Sequence, residues 1–516
     1  MVDDPLPGAE AVDEFEREPV PERALLGVKS FVGMYAGEHT AGTELMIGPL
    51  FVASGVSAFD LLVGLLVGNL LAVLSWTLLT APIATRARLT LYYQLEKICG
   101  RNLVTLYNLA NGVMFCFLAG SMITVSATAV GVWTKFDPPQ LNDVAPFPLA
   151  EGVYQTLDTL GLIDAETTRR VETVNVGWIV ASLGVGLLTA VVAAYGYKFV
   201  AHVANIAAPW LTLVFLAFGL IALRQFIDAT QSEIHSVADL WNLATTHIWT
   251  GGAEQVGQTK FTIWHVTFFA WFCNMAMHIG MSDLTILRYA RHSWYGLATA
   301  SGMYLGHYLA WIAASLMYAL QLHENAADTG VLPGPMADRA CGMAGLLCVI
   351  VAGWTTANPT IYRAGLAFQA IMPRVSRVKV TLVTGIIAAL AGAFPAIAMK
   401  MLNFVALYGL ILMPMGAVVL VDFYWMRRLG LTPNYAERSG RKFNWAAGVT
   451  WIMTLAVCVL LARYADIRAF LVDQGMDILP AGFKGVQIFF VGLPGWFLAA
   501  GLYIVLSKFY QRKAQP

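Results

Sequence analysis

Apolar residues run through this chain in long stretches separated by polar connections, and twelve stretches have the length of a membrane crossing. They cover approximately 30–54, 58–81, 103–133, 174–196, 199–223, 260–282, 295–321, 338–361, 379–398, 401–424, 445–463 and 485–507. About 20 residues rising 1.5 Å each cross roughly 30 Å of hydrocarbon, where helices satisfy every backbone amide internally. The pattern therefore predicts an all-α membrane protein with twelve transmembrane helices.

Orientation follows from charge. Lys and Arg cluster in alternate connections: Arg86, Arg88, Lys97 and Arg101 after span two, Lys198 after four, Arg288 and Arg291 after six. Arg374, Arg377 and Lys379 follow span eight, Arg427, Arg428, Arg438, Arg441 and Lys442 follow span ten, and Lys508, Arg512 and Lys513 lie in the tail. The positive-inside bias predicts two cytoplasmic termini in a protein of the bacterial inner membrane. Residues 1–29, acidic at the start and broken by Pro5, Pro7, Pro19 and Pro21, read as a disordered cytoplasmic tail, with no signal peptide. One transmembrane domain then covers 30–508, and 509–516 form a second tail. The external connections 135–173 and 224–259 suit short surface helices, and 84–100 suits a cytoplasmic connection.

Composition adds exclusions. With 58% hydrophobic and 12% charged residues, against about 45–50% and about 25% in soluble domains, the apolar excess exceeds what one soluble core holds. A formal net charge of zero gives no field for nucleic acid. The six cysteines are scattered without C-x-x-C spacing and read as small apolar residues, not metal ligands. No span pairs a nucleophile with a base and no H-E-x-x-H occurs, which argues against an enzyme. No cofactor is implied, and oligomeric state is not readable.

Three spans interrupt their own apolarity. In span one, Gly33, Gly37, Gly42 and Gly48 weaken the helix, while Glu38, His39, Thr40, Thr43 and Glu44 are polar. Such a segment suits an unwound helix exposing carbonyls at the midplane. Gly33 and Gly37 also fit a G-x-x-x-G packing seam. In span six, Asn274 and His278 are i and i+4 and share a helix face, with Trp271 three residues before Asn274, so the face offers stacking beside hydrogen bonds. The alternative is aromatic packing. In span eight, towards the end of its apolar run, Pro359 frees a carbonyl while Thr355 and Thr356 supply oxygens that suit Na⁺. Hydroxyls there also commonly bond their own i−4 carbonyls.

These residues carry a resemblance to the nucleobase–cation symporter family of permeases for cytosine, purines, uracil, allantoin and hydantoins, in the amino acid–polyamine–cation superfamily. It rests on PMGAVVLVDFYWMRR (Pro414 to Arg428) followed by Asn434-Tyr435 and FNWAAG from Phe443. It also rests on TTAN from Thr355, on AGLAFQAIMPR from Ala364 to Arg374, and on GPLFVASGVSAFDLLVGLLVGN from Gly48 to Asn69. The resemblance implies a five-plus-five inverted-repeat (LeuT-like) fold, 30–223 against 260–425, with discontinuous helices one and six and two extra helices at 445–507. It implies a secondary active transporter, a cation-coupled symporter importing a nucleobase or related small nitrogen heterocycle by alternating access. The coupling ion is Na⁺ or H⁺. The implied cation ligands are the hydroxyls of Thr355 and Thr356, the Ala352 carbonyl and backbone oxygens near Ala36 and His39. By position, the family's third-helix substrate pair is Phe117 and Ser121, and its sixth-helix tryptophan is replaced by Asn274, with Trp271 one turn earlier. The substrate residues implied are Glu38, His39, Phe117, Ser121, Trp271, Asn274 and His278. Relatives do not generally carry acids such as Glu38 and Glu44 in the first helix. An ionised Glu38 pairs with a cationic solute or completes a Na⁺ site, and a protonated Glu38 couples protons. A receptor that has lost transport is a further alternative.

Overall fold

Residues 14–135, 176–256, 258–393 and 401–513 are described by a computed structural model. Eight helices among them are singly long and apolar enough to cross a membrane. Span two is Ala58–Ala87, three Arg101–Thr134, four Val176–Ala194, five Tyr197–Thr230, eight Pro333–Ile371, ten Met401–Tyr424, eleven Trp445–Ala462 and twelve Gly492–Lys513. Spans seven (Ser301–Tyr308 continuing as Leu309–Glu324) and nine (Arg377–Gly392) are continuous. Spans one and six are broken. Span one is Lys29–His39 followed by Glu44–Ala53, and span six is Ile263–Phe272 followed by Met275–His278 and Leu284–Leu287. A half-helix of ten residues rises about 15 Å, so each long piece crosses half of the hydrocarbon.

Packing repeats with the order inverted. The first piece of span one lies on span five, as the Met275–His278 piece of span six lies on span ten. The second piece of span one lies on span seven, as the first piece of span six lies on span two. Spans three and eight pack along their lengths, and each of them contacts both four and nine. Spans one to five are thus matched by six to ten. Missing side chains allow the close approaches: a Cβ on Gly33 would sit 2.0 Å from Asn205 Oδ1, and one on Gly416 2.0 Å from the Ile279 carbonyl. The seam at Gly33 and Gly37 therefore faces span five, while the break lies beyond it.

Where the sequence suggests a disordered tail through residue 29, residues 14–28 are docked. The Glu14 carboxylate accepts from the Tyr197 amide at 2.9 Å and from the Tyr289 and Tyr362 hydroxyls at 2.8 and 2.7 Å. Arg288 donates to the Phe15 and Glu14 carbonyls, both at 2.7 Å. No periodicity signals such a plug, because its partners lie about 180 to 350 positions away. The connection 84–100 holds a helix, Leu91–Cys99, and 224–259 holds Val237–Leu243 opened by a Ser236 capping box. The connection 135–173 lies outside the described residues beyond Lys135. Asp422, in the most family-like motif, has a structural role: its carboxylate accepts from the Asn434 amide at 2.9 Å and ties span ten to the following loop.

Candidate functional site

The break in span one falls at Thr40–Thr43. His39 closes the first piece, Thr40 leaves the helical region at φ −89, ψ 65, and Glu44 opens the second piece. Gly42 fits because spans three and eight press on it: a Cβ there would lie 2.8 Å from Val125 Cγ1 and 3.3 Å from the Val349 carbonyl. The break in span six falls at Asn274, at φ −106, ψ 36. Asn274 and His278 therefore do not share one continuous helix face, which corrects the shared face expected from their i, i+4 spacing.

Span seven brings the breaks together. Asn274 Nδ2 lies 3.4 Å from His307 Nε2, and the same nitrogen lies 3.9 Å from Glu44 Oε1. His307 stacks on Trp311 at 4.3 Å and meets the His39 ring edge-on at 4.9 Å. Trp311 Nε1 donates to the other Glu44 oxygen. His39, at the end of the first piece, bonds the Tyr35 carbonyl through Nδ1 at 2.9 Å. Gly302 and Gly306 admit it: a Cβ on Gly306 would lie 2.4 Å from the His39 carbonyl. Two atoms beside this cluster, His307 Nδ1 and Thr40 Oγ1, are buried without a hydrogen-bond partner among the described residues.

A second cluster sits below the break. Arg363 of span eight, fully buried, holds Glu38 through two nitrogens at 2.5 and 3.2 Å and Asp283 at 2.7 Å. Tyr35 and Trp76 donate to the other Asp283 oxygen at 3.0 and 2.7 Å. Glu38 is thus the partner of an internal cation, which removes the support for its pairing with a cationic solute. Nothing in the motif reading pointed to Arg363, since one arginine in an apolar run carries no spacing signal.

A third cluster holds oxygens alone. Thr355 Oγ1 lies 3.0 Å from the Gly37 carbonyl and 3.1 Å from that of Ala352. Thr356 Oγ1 lies 3.1 Å from the Glu38 carbonyl and 2.8 Å from that of Ala352. Two hydroxyls and three carbonyls are thus gathered, a hard-oxygen set that fits a Na⁺ ion. Gly37 and Glu38 supply the span-one carbonyls here, in place of Ala36 and His39. The Ala36 carbonyl instead accepts from the Thr40 amide at 2.9 Å. These threonines lie in the middle of span eight, which runs on to Ile371, and not near its end.

The remaining candidates divide. His278 faces the Trp76 ring edge-on at 4.9 Å, and its carbonyl accepts from Thr80 at 2.7 Å, both in span two. Trp271 donates to Ser75 at 2.9 Å and stacks on Phe268 and Phe272, so the aromatic rings beside His39 and His307 are Trp76 and Trp311 instead. Ser121 donates to its own i−4 carbonyl at Phe117, 3.1 Å away on span three. His307, Trp311, Trp76 and Arg363 were missed: each sits in an otherwise ordinary apolar run, and only the fold brings them to the breaks.

Twelve spans, two of them broken, arranged as inverted repeats of five, define a membrane protein of the LeuT-like transporter fold. No family model matches the sequence, and no curated protein matches it. Among solved structures, the chain is similar to Mhp1, a nucleobase-cation-symport-1 family transporter, in a closed conformation with bromovinylhydantoin bound. The TM-score is 0.64 at 14% identity, covering 96% of each chain. The inward-facing conformation of Mhp1 gives a TM-score of 0.59 at 14% identity, covering 96% of this chain and 95% of that one. A substrate-bound, outward-open Na⁺-coupled sialic acid symporter gives 0.59 at 14% identity, covering 94% and 90%. At this identity the likeness establishes the fold.

Proposed function

We propose that this protein is a cation-coupled secondary transporter that imports a small nitrogen heterocycle, of the nucleobase kind or related to it, by alternating access. The observation that carries this reading is the meeting of both helix breaks on His307, with a hard-oxygen cluster one step away on span eight. Broken helices in a bilayer expose backbone groups that lipid cannot satisfy, so they persist where a solute or ion is bound. Named solutes of the similar structures, bromovinylhydantoin and sialic acid, are small polar molecules.

The solute binds between spans one, three, six and eight, with Asn274, His39, Phe117 and Ser121 among its candidate contacts. If the ion is Na⁺, Thr355, Thr356 and the Ala352, Gly37 and Glu38 carbonyls hold it, the hydroxyl protons turning away to make room. If it is a proton, the same hydroxyls keep their present bonds. Either way, the ion ties span one to span eight and favours the conformation that binds solute, a coupling of about 1–3 kcal/mol. Both termini face the cytoplasm, and the membrane potential adds about 2.3 kcal/mol per charge per 100 mV.

A thermal-shift screen of the purified protein against nucleobases, hydantoins, vitamins and small amines, with and without Na⁺, tests the proposal, because a ligand of the native state raises its apparent stability. The reading expects at least one heterocycle whose shift grows with Na⁺ or changes with pH. Shifts indifferent to both ions contradict coupling.

A further inference from the structure

We infer that the cavity between the amino end of span three and the loop leading into span eleven binds the phosphate of an anionic membrane phospholipid.

Five basic residues line this cavity of about 350 Å³, Arg17, Lys97, Arg101, Arg441 and Lys442, against two acids, Glu96 and Glu437. Lys97 pairs with Glu437 at 3.1 Å, and Arg17 donates to the Pro373 carbonyl. Arg441 donates to the Tyr510 hydroxyl at 2.9 Å, which uses one of its five N–H groups. The side chains of Arg101 and Lys442 have no hydrogen-bond or ion-pair partner among the described residues. With Glu96 as the remaining acid, the lining keeps an excess of three positive charges.

The backbone forces these cations together. The Asn102 amide donates to the Lys442 carbonyl at 3.0 Å, and the Asn444 amide to that of Cys99 at 2.8 Å. The Asn444 side chain also donates to the Ile98 carbonyl at 2.9 Å. Gly100, at φ +84, admits the loop, since a Cβ there would lie 2.5 Å from the Lys442 carbonyl carbon. Arg101 and Lys442 thus stand on bonded stretches of chain without an acid between them, and an anion relieves their repulsion. The 34-residue helix of span three begins at Arg101 with no side-chain cap, so its first amides and its dipole add positive potential at the same place.

What lies beyond the cations favours a lipid over an anion free in water. Leu106, Leu109 and Val113 of span three are exposed, as are Trp445 and Ile452 of span eleven, and on membrane-spanning helices such residues face acyl chains. Leu106 lies about 8 Å along the helix axis from Arg101, and Trp445 follows Lys442 by three residues, the depth at which tryptophan meets headgroups. Spans three and eleven touch at Tyr107 and Trp451, whose rings are 5.6 Å apart. A phosphate held by the Arg101 guanidinium and the Lys442 ammonium therefore has apolar helix surface beside it for its tails.

The test uses the full-length protein stripped of lipid in detergent. It needs no knowledge of the solute, so its outcome is independent of the transport reading. Dioleoylphosphatidylglycerol and dioleoylphosphatidylcholine, which share their tails, are titrated in mixed micelles, with bound lipid counted by native mass spectrometry and stability followed by thermal shift. The wild type should bind phosphatidylglycerol at least about tenfold tighter. Arg101→Gln with Lys442→Gln should reduce that preference below about threefold. Arg427→Gln with Arg428→Gln, two exposed arginines that do not line the cavity, should leave it unchanged. Excess inorganic phosphate should not displace the lipid. A wild type without preference between the two lipids overturns the site, and this comparison stands even if a variant does not fold. A preference that both double variants weaken alike overturns it too, by assigning the effect to general surface charge. Displacement by inorganic phosphate overturns the lipid assignment and makes the cavity a site for a soluble anion.

Discussion

Arg363 decides what the acids of span one are free to do. Its fully buried guanidinium matches two carboxylates, and removing it strands both. Arg363→Gln should therefore cost about 3–5 kcal/mol of stability, read as a lower unfolding midpoint in detergent, whereas Arg363→Lys, which cannot form the two-nitrogen bridge to Glu38, should fall between. Equal midpoints for the three proteins would show that the cluster bears no stability. On the same helix, Thr355→Val and Thr356→Val each delete one hard oxygen of the candidate ion site. If Na⁺ is the coupling ion, each should raise its half-saturation about tenfold while leaving the folded fraction unchanged. An unaltered Na⁺ response in both variants would move the ion elsewhere. At this scale the sequence was informative about residue type and poor about partners. Thr355 and Thr356 could be picked out because hydroxyls beside a proline are unusual in an apolar run, while Ala352 followed only from the family resemblance. Glu38 was picked out too, but its role turns on an arginine 325 positions away.

The breaks belong to the scale of the element. That of span one was legible because four glycines and five polar side chains interrupt a single apolar run. That of span six was legible only through the family resemblance, since Cys273 and Asn274 sit in a run rich in aromatic residues with no proline or glycine before Gly280. Its second piece survives by resting on span ten through Gly416. Gly416→Ala would place a methyl 2.0 Å from the Ile279 carbonyl and should cost about 1–3 kcal/mol, or more if the backbone cannot shift. Gly501→Ala, which meets nothing within 4 Å on span twelve, should be neutral or slightly stabilising. Thermal midpoints of the two variants check this, and a reversed order would contradict the packing.

For the whole molecule, the inverted order of contacts divides the spans into two groups that meet through a polar seam. Residues 362 and 363 of span eight close that seam twice, Tyr362 on Glu14 and Arg363 on Glu38 and Asp283. Glu14→Ala should loosen it: a cysteine introduced as Gln369→Cys, buried near Arg17, should be alkylated several-fold faster by an impermeant maleimide added on the side of the termini. Unchanged labelling would mean that the docked tail does not restrain that side. The number of spans and their grouping were largely legible from apolar length and motif, whereas the plug formed by residues 14–28 was not, because its own composition is that of a tail. The central claim, that the two breaks form a solute site coupled to an ion, is tested most directly by uptake in proteoliposomes of the solute found by thermal shift. An imposed inward gradient of Na⁺ or protons should drive accumulation that collapses when an ionophore dissipates it and is lost in Asn274→Ala with His307→Ala. Uptake that merely equilibrates, unaffected by either gradient or by the double substitution, would contradict the account.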